Sequence, residues 1–141
     1  MKKQIALLVV MFGVAMVGES VAQTVRMKAS IPFDFAVNGS TLPAGEYNIQ
    51  SYGVADGKTL RVANAGTHQG ILVNSLDTSS VSASPSTKLV FHRYGNRYFL
   101  SQVWIQGEEN GRELPKTHRE SELSKDYRST YQEVDLVAAV Q

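Results

Sequence analysis

The sequence predicts a mainly β protein: an antiparallel sandwich or small barrel of about eight strands with one late helix. Three observations lead there. Apolar and polar side chains alternate with period two through most of the chain after Gln23. Turn-forming pairs separate these runs at a spacing of roughly 8–12 residues, the rhythm of all-β domains. One stretch near the C-terminus switches to apolar residues spaced four apart, which is helical.

The first segment is not part of that domain. Lys2 and Lys3 precede Ile5–Val17, an uncharged and mostly apolar run of 13 residues, and Ser20-Val21-Ala22 follows with small side chains. This order is that of a cleavable export signal, with cleavage expected before Gln23. The run is well short of the ~20 residues a membrane-spanning helix needs. The chain has 141 residues, with 14 basic and 13 acidic side chains. Losing Lys2, Lys3 and Glu19 with residues 1–22 leaves a 119-residue domain, 23–141, with 12 of each. A neutral domain offers no bulk attraction to nucleic acid or to an anionic membrane. There is no cysteine, so neither a disulfide nor an N-terminal lipid anchor on cysteine is available. Stability must come from a core, which a domain of this size can bury.

Along the domain, Ile31, Phe33, Phe35 and Val37 alternate with Pro32, Asp34 and Ala36, reading as one half-buried strand that starts at, or edges on, Pro32. Asn38-Gly39 is a tight hairpin signal, since both residues tolerate positive φ. Leu42-Pro43-Ala44-Gly45 forms a second turn, and Tyr47, Ile49 and Ser51 a further strand. Asp56-Gly57 marks a turn before Leu60 and Val62. Gly66 and Gly70 bracket a loop, Ile71-Leu72-Val73 opens a short strand, and Asp77–Thr87, rich in serine and threonine, reads as a mobile surface loop.

The best-defined hairpin is Leu89–Tyr94 with Arg97–Ile105 around Gly95-Asn96. That turn sets Tyr94 opposite Arg97, Arg93 opposite Tyr98, His92 opposite Phe99 and Phe91 opposite Leu100. Trp104 is expected to anchor the core, its indole N–H requiring a partner. Thr117-His118-Arg119-Glu120 fits a capping box, in which the threonine oxygen accepts an orphan N–H and the glutamate reaches back. With Leu123, Tyr127 and Tyr131 it predicts a helix over 118–130. Val134, Leu136, Ala138 and Val140 then predict a last strand.

Ile31-Pro32-Phe33-Asp34-Phe35, Leu42-Pro43-Ala44-Gly45-Glu46-Tyr47, Leu89-Val90-Phe91-His92-Arg93-Tyr94-Gly95 with Tyr98-Phe99-Leu100, and Gly111-Arg112-Glu113-Leu114-Pro115 together cover most of the domain. In these motifs the chain resembles a family of small exported bacterial β-rich proteins of unknown function. The resemblance implies export and a β fold, and no activity. The Gly45-Glu46-Tyr47 step is also similar to the turn that opens strands in immunoglobulin-like and prealbumin-like sandwiches.

Catalytic and metal signatures are sparse. His68, His92 and His118 fall in a loop, a strand and a helix start, at no spacing that builds a metal site. No Gly-x-Ser-x-Gly elbow is present. Glu108-Glu109 and Glu120-x-Glu122 lie in a polar loop and on an expected exposed helix face, where a hydrolytic pair across a cleft is not expected. No enzyme activity, cofactor or metal is therefore expected. The richest contact surface is the hairpin tip, with Arg93, Tyr94, Arg97 and Tyr98 as candidate binding residues. Tyr94 and Arg97 are expected side by side at the surface, and Phe91 and Leu100 buried on the opposite face. Cross-strand pairing at the tip would account for the same residues structurally. The expectation is an exported, periplasmic or extracellular, non-enzymatic module that binds a protein or glycan or contributes structurally. A small-ligand carrier with an internal pocket is the alternative, and a metal-assisted hydrolase a third reading. A deep apolar cavity would favour the carrier, a filled core the module.

Overall fold

The structure, a computed structural model, describes residues 25–53, 58–127 and 131–140. The export segment 1–22 and the Asp56-Gly57 turn lie outside the described residues. The elements are β1 (Arg26–Ile31), β2 (Phe35–Val37), β3 (Ser40–Leu42), β4 (Gly45–Ser51), β5 (Thr59–Asn64), β6 (Gly70–Asn74), β7 (Leu76–Ser79), β8 (Lys88–Tyr94), β9 (Arg97–Trp104), β10 (Asn110–Glu113), α1 (His118–Asp126), β11 (Gln132–Val137) and β12 (Ala139–Val140). One sheet has the order β12-β1-β4-β5-β6; the other has β11-β8-β9-β10-β7, with the β2–β3 hairpin attached where β2 runs parallel to β9. The two sheets form a sandwich-like arrangement, not a closed barrel. Among the described residues no helix is long and apolar enough to cross a membrane.

More strands are found than the eight or so expected: two expected strands split where the chain changes sheet, and β3, β7 and β10 are further strands. Pro32 cannot donate to a ladder, and the chain leaves the first sheet after Ile31 to join the second at Phe35. The last strand splits in the same way at Ala138. Asn38 (φ 49°) and Gly39 (φ 82°) both take positive φ, so the β2–β3 connection is the tight turn their side chains allow.

The serine-rich stretch is a loop only in part: residues 80–87 are irregular and mostly exposed, but its start is a strand. Leu76–Ser79 pairs with β10. Ser84 and Thr87 are buried, and Thr87 Oγ1 accepts the Gln106 N–H at 3.1 Å. Its hydroxyls satisfy backbone donors and acceptors that a loop crossing the sheet would otherwise strand.

Between the sheets lie Met27, Ile31, Ile49, Leu60 and Val62 from one side and Leu89, Phe91, Leu100 and Val103 from the other. Phe35 sits at the centre, edge-on to Tyr47 (5.0 Å between centroids) and Phe91 (5.7 Å). The Tyr47 hydroxyl donates to the Pro43 carbonyl at 2.6 Å. Trp104 is buried and its N–H donates to Gln102 Oε1 at 2.9 Å, but it lies outside this cluster, against Gly111.

Candidate functional site

The β8–β9 hairpin has the register its turn dictates: Tyr94↔Arg97, Arg93↔Tyr98, His92↔Phe99 and Phe91↔Leu100. Gly95 takes φ 63°, which the first position of this turn requires. Residues facing each other across the ladder share a face, so the tip divides in two.

On the inner face, Tyr98 stacks on Phe33 with ring centroids 3.8 Å apart. The Arg93 guanidinium lies 5.5 Å from the Tyr98 centroid and donates from Nε to Gly95 O at 2.7 Å. Arg93 and Tyr98 are thus a cross-strand cation–π pair, and the Tyr98 ring is engaged internally, leaving its edge toward solvent.

On the outer face the expectation for Tyr94 fails. Tyr94 is 1% exposed, not displayed beside Arg97. The cause is α1, which lies over this face. Tyr127 at its end packs against the Gly95 turn, where a Cβ would come within 3.3 Å of its ring. Tyr131 then closes over Tyr94 and His92, at 5.4 and 5.0 Å between centroids.

Beneath the helix is a buried polar cluster. Thr117 caps α1 and its Oγ1 accepts the Glu120 N–H at 3.3 Å, but the Glu120 side chain does not complete the capping box. It turns inward, 4% exposed. Its Oε1 accepts from the Tyr94 hydroxyl at 3.1 Å and meets His92 Nδ1 at 3.0 Å, which places the ring proton on Nδ1 because a carboxylate only accepts. Glu133, the β11 partner of His92, lies 3.9 Å from Nε2 and accepts from the Tyr131 hydroxyl at 3.3 Å. Burial first, then the Glu120 carboxylate, pushes the Tyr94 phenol well above its ordinary value. Burial, then Glu133, pushes Tyr131 up to about 12. A carboxylate-oriented imidazole is the pairing that general-base chemistry uses. Here its neighbours are phenols made less acidic, and no serine or threonine hydroxyl bonds to His92 among the described residues. The cluster therefore reads as the anchor of α1.

Sequence reasoning missed Glu120, which it placed on an exposed face. The signal was present: Glu120, Leu123 and Tyr127 fall at i, i+3 and i+7, one stripe of the helix. It also missed Arg112, a buried guanidinium that donates to Ser75 Oγ (2.9 Å) and Ser75 O (3.2 Å) and pairs with Asp77. The other histidines stand apart: His118 is exposed beside Glu122, and His68 occupies a positive-φ turn position. Among the described residues no three of His, Cys, Asp and Glu gather to hold a metal ion.

Two clefts open at the surface where the β2–β3 hairpin, the β9 start and the α1 start meet. One, of about 440 Å³, is bordered by Asn38, Leu72, Lys116 and Glu120. The other, of about 310 Å³, runs along the hairpin tip and is lined by Asp34, Thr41, Asn96, Arg97, Tyr98 and Arg119. They share Ala36, Gly39, Phe99 and Thr117 and so adjoin as one groove. Of the four expected binding residues, Arg97 and Tyr98 line it; Arg93 and Tyr94 do not. The side chains of Arg97 and Arg119 make no hydrogen bond or ion pair among the described residues. Asp34 Oδ1 accepts the Ala44 N–H at 2.9 Å.

No family model, no curated protein and no solved structure matches the chain.

Proposed function

We propose that the protein is an exported, non-enzymatic binding module whose contact site is the groove between the β8–β9 tip, the β2–β3 hairpin and the start of α1. One observation carries this reading: two exposed arginines from distant parts of the chain line one solvent-open cleft, and their side chains have no hydrogen-bond or ion-pair partner among the described residues. The other tip and core cations are employed internally, Arg93 on Tyr98 and Gly95, and Arg112 on Ser75 and Asp77. Aromatic packing between the sheets favours a surface site over the internal pocket of a carrier. The dispersed histidines give a metal-assisted hydrolase no support. Export to the periplasm or the exterior is part of the proposal and rests on residues 1–22; membership of the exported family is also part of it and rests on the motifs between Ile31 and Pro115.

Glycan and peptide arrays probed with the protein test the contact site. Retention should be lost in an Arg97→Ala/Arg119→Ala variant and kept in Arg26→Ala, on β1 of the other sheet. Equal retention in both variants, or none with the unaltered protein, sinks the site. Expression in a bacterium followed by intact mass measurement tests export: the mature chain should begin at Gln23, and a full-length cytoplasmic product refutes it.

A further inference from the structure

We infer that the cleft beside Arg97 and Arg119 takes a sugar acid of the hexuronate class, free or as the terminal residue of an acidic glycan. This rests on the groove reading above and names its ligand.

The charged side chains lining this cleft are Arg97, Arg119 and Asp34, a net charge of +1. A singly charged anion neutralises it, whereas a dianion such as phosphate leaves excess negative charge beside Asp34. Guanidinium is the side chain suited to a carboxylate, because its planar fork matches both oxygens. Two such forks, with no partner among the described residues, suit a carboxylate.

The rest of the lining describes what the carboxylate is attached to. Asp34 has one oxygen occupied by the Ala44 N–H, and its other oxygen accepts no hydrogen bond among the described residues. That exposed oxygen is free to accept from a ring hydroxyl. Thr41, Asn96, Thr117 and the Tyr98 edge add neutral hydroxyl and amide groups. Thr117 Oγ1 accepts the Glu120 N–H and retains its O–H to donate. One anionic group surrounded by several neutral hydrogen-bonding groups is the complement of a polyhydroxylated monocarboxylate. The cleft volume of about 310 Å³ stands at the lower end of small-molecule sites, which run roughly 300–1,000 Å³. That suits one or two sugar rings, not a long chain.

The test is an amide NMR titration of the protein with glucuronate, galacturonate, glucose, glutamate and inorganic phosphate. Either uronate should move the Asn96, Arg97, Thr117 and Arg119 resonances saturably, with glucose, glutamate and phosphate at least tenfold weaker. Arg97→Gln and Arg119→Gln should each weaken uronate binding by about tenfold or more, the loss of a charged hydrogen bond. Both residues are exposed, so melting temperatures should stay close to that of the unaltered protein. Asp34→Asn should weaken the uronates while strengthening phosphate, because the opposing charge is gone. If glucose, glutamate or phosphate binds the groove as well as the uronates do, the ligand class is overturned and the groove stands. If uronates shift resonances elsewhere and spare the groove, the groove reading fails with it. If uronates cause no shifts at all, the sugar-acid proposal is overturned, and the arrays decide the groove.

Discussion

Glu120→Ala should be one of the most damaging single changes outside the aromatic core. It removes the acceptor shared by His92 Nδ1 and the Tyr94 hydroxyl, which are 8% and 1% exposed as residues. A buried donor stranded without a partner costs ~1–3 kcal/mol, so two strand about 2–6 kcal/mol. Glu120 also borders the 440 Å³ cleft, from which water can reach one donor. The expected loss is therefore in the lower half, about 2–4 kcal/mol. In urea, with a slope of about 1.5–2 kcal/mol/M for a small domain, the midpoint should fall by roughly 1–2.5 M. Glu120→Gln keeps an oxygen acceptor in place and should cost about 1 kcal/mol, as should Tyr94→Phe, which leaves the carboxylate on His92. Combining Tyr94→Phe with Glu120→Ala should then cost less than the sum of the two, because both remove the same bond. A Glu120→Ala loss below about 1 kcal/mol, or strict additivity, would refute the claim that this cluster pins α1 to the sheet.

Arg112→Met should destabilise by about 2–3 kcal/mol in the same assay, because Ser75 and Asp77 lose a charged donor across the β7–β10 contact; no loss would mean that the pairing is idle. Gly111→Ala should cost about 1–3 kcal/mol, since a Cβ there would meet the Trp104 ring at 2.7 Å and the Val103 carbonyl oxygen at 2.9 Å, and Trp104 fluorescence should change with it. With Tyr94 and Tyr131 both holding their protons above the ordinary phenol value, the folded state binds protons that the unfolded chain releases above pH 10. Stability should be unaffected by these groups below that pH and fall as pH rises toward 12; a flat or rising alkaline limb, by urea melts with tyrosinate absorbance, would contradict the cluster geometry.

The β8–β9 hairpin was legible to the residue from its tip to Phe91 and Leu100, because a two-residue turn beginning with glycine leaves one register; the shift between Val90 and Phe91 beyond was not. The division of Ile31–Val37 was not. Ile31 and Phe35 belong to different sheets yet both face the space between them, so period two runs through the crossing unbroken. Tyr94 was misplaced because its cover comes from α1 and Tyr131, and alternation within a strand says nothing about what lies on its outer face. Half of the groove could be read from the tip, in Arg97 and Tyr98. The other half comes from distant contacts: Asp34 is brought there by a parallel pairing of only Phe35 and Ala36 with Tyr98 and Phe99, and Arg119 by α1, held on β8 through Glu120.

The chain changes sheet four times, at Pro32–Asp34, Pro43–Ala44, Ser75 and Ala138. Both layers are therefore sewn from one thread, with seams on more than one border. Neither layer can peel away while the other stays whole, since each seam would drag a strand out of the remaining ladder. Opening is then all or nothing, and half-open forms, the ones proteases cut, become scarce. A small domain without disulfides gains from this weave a resistance to nicking that its core alone would not confer.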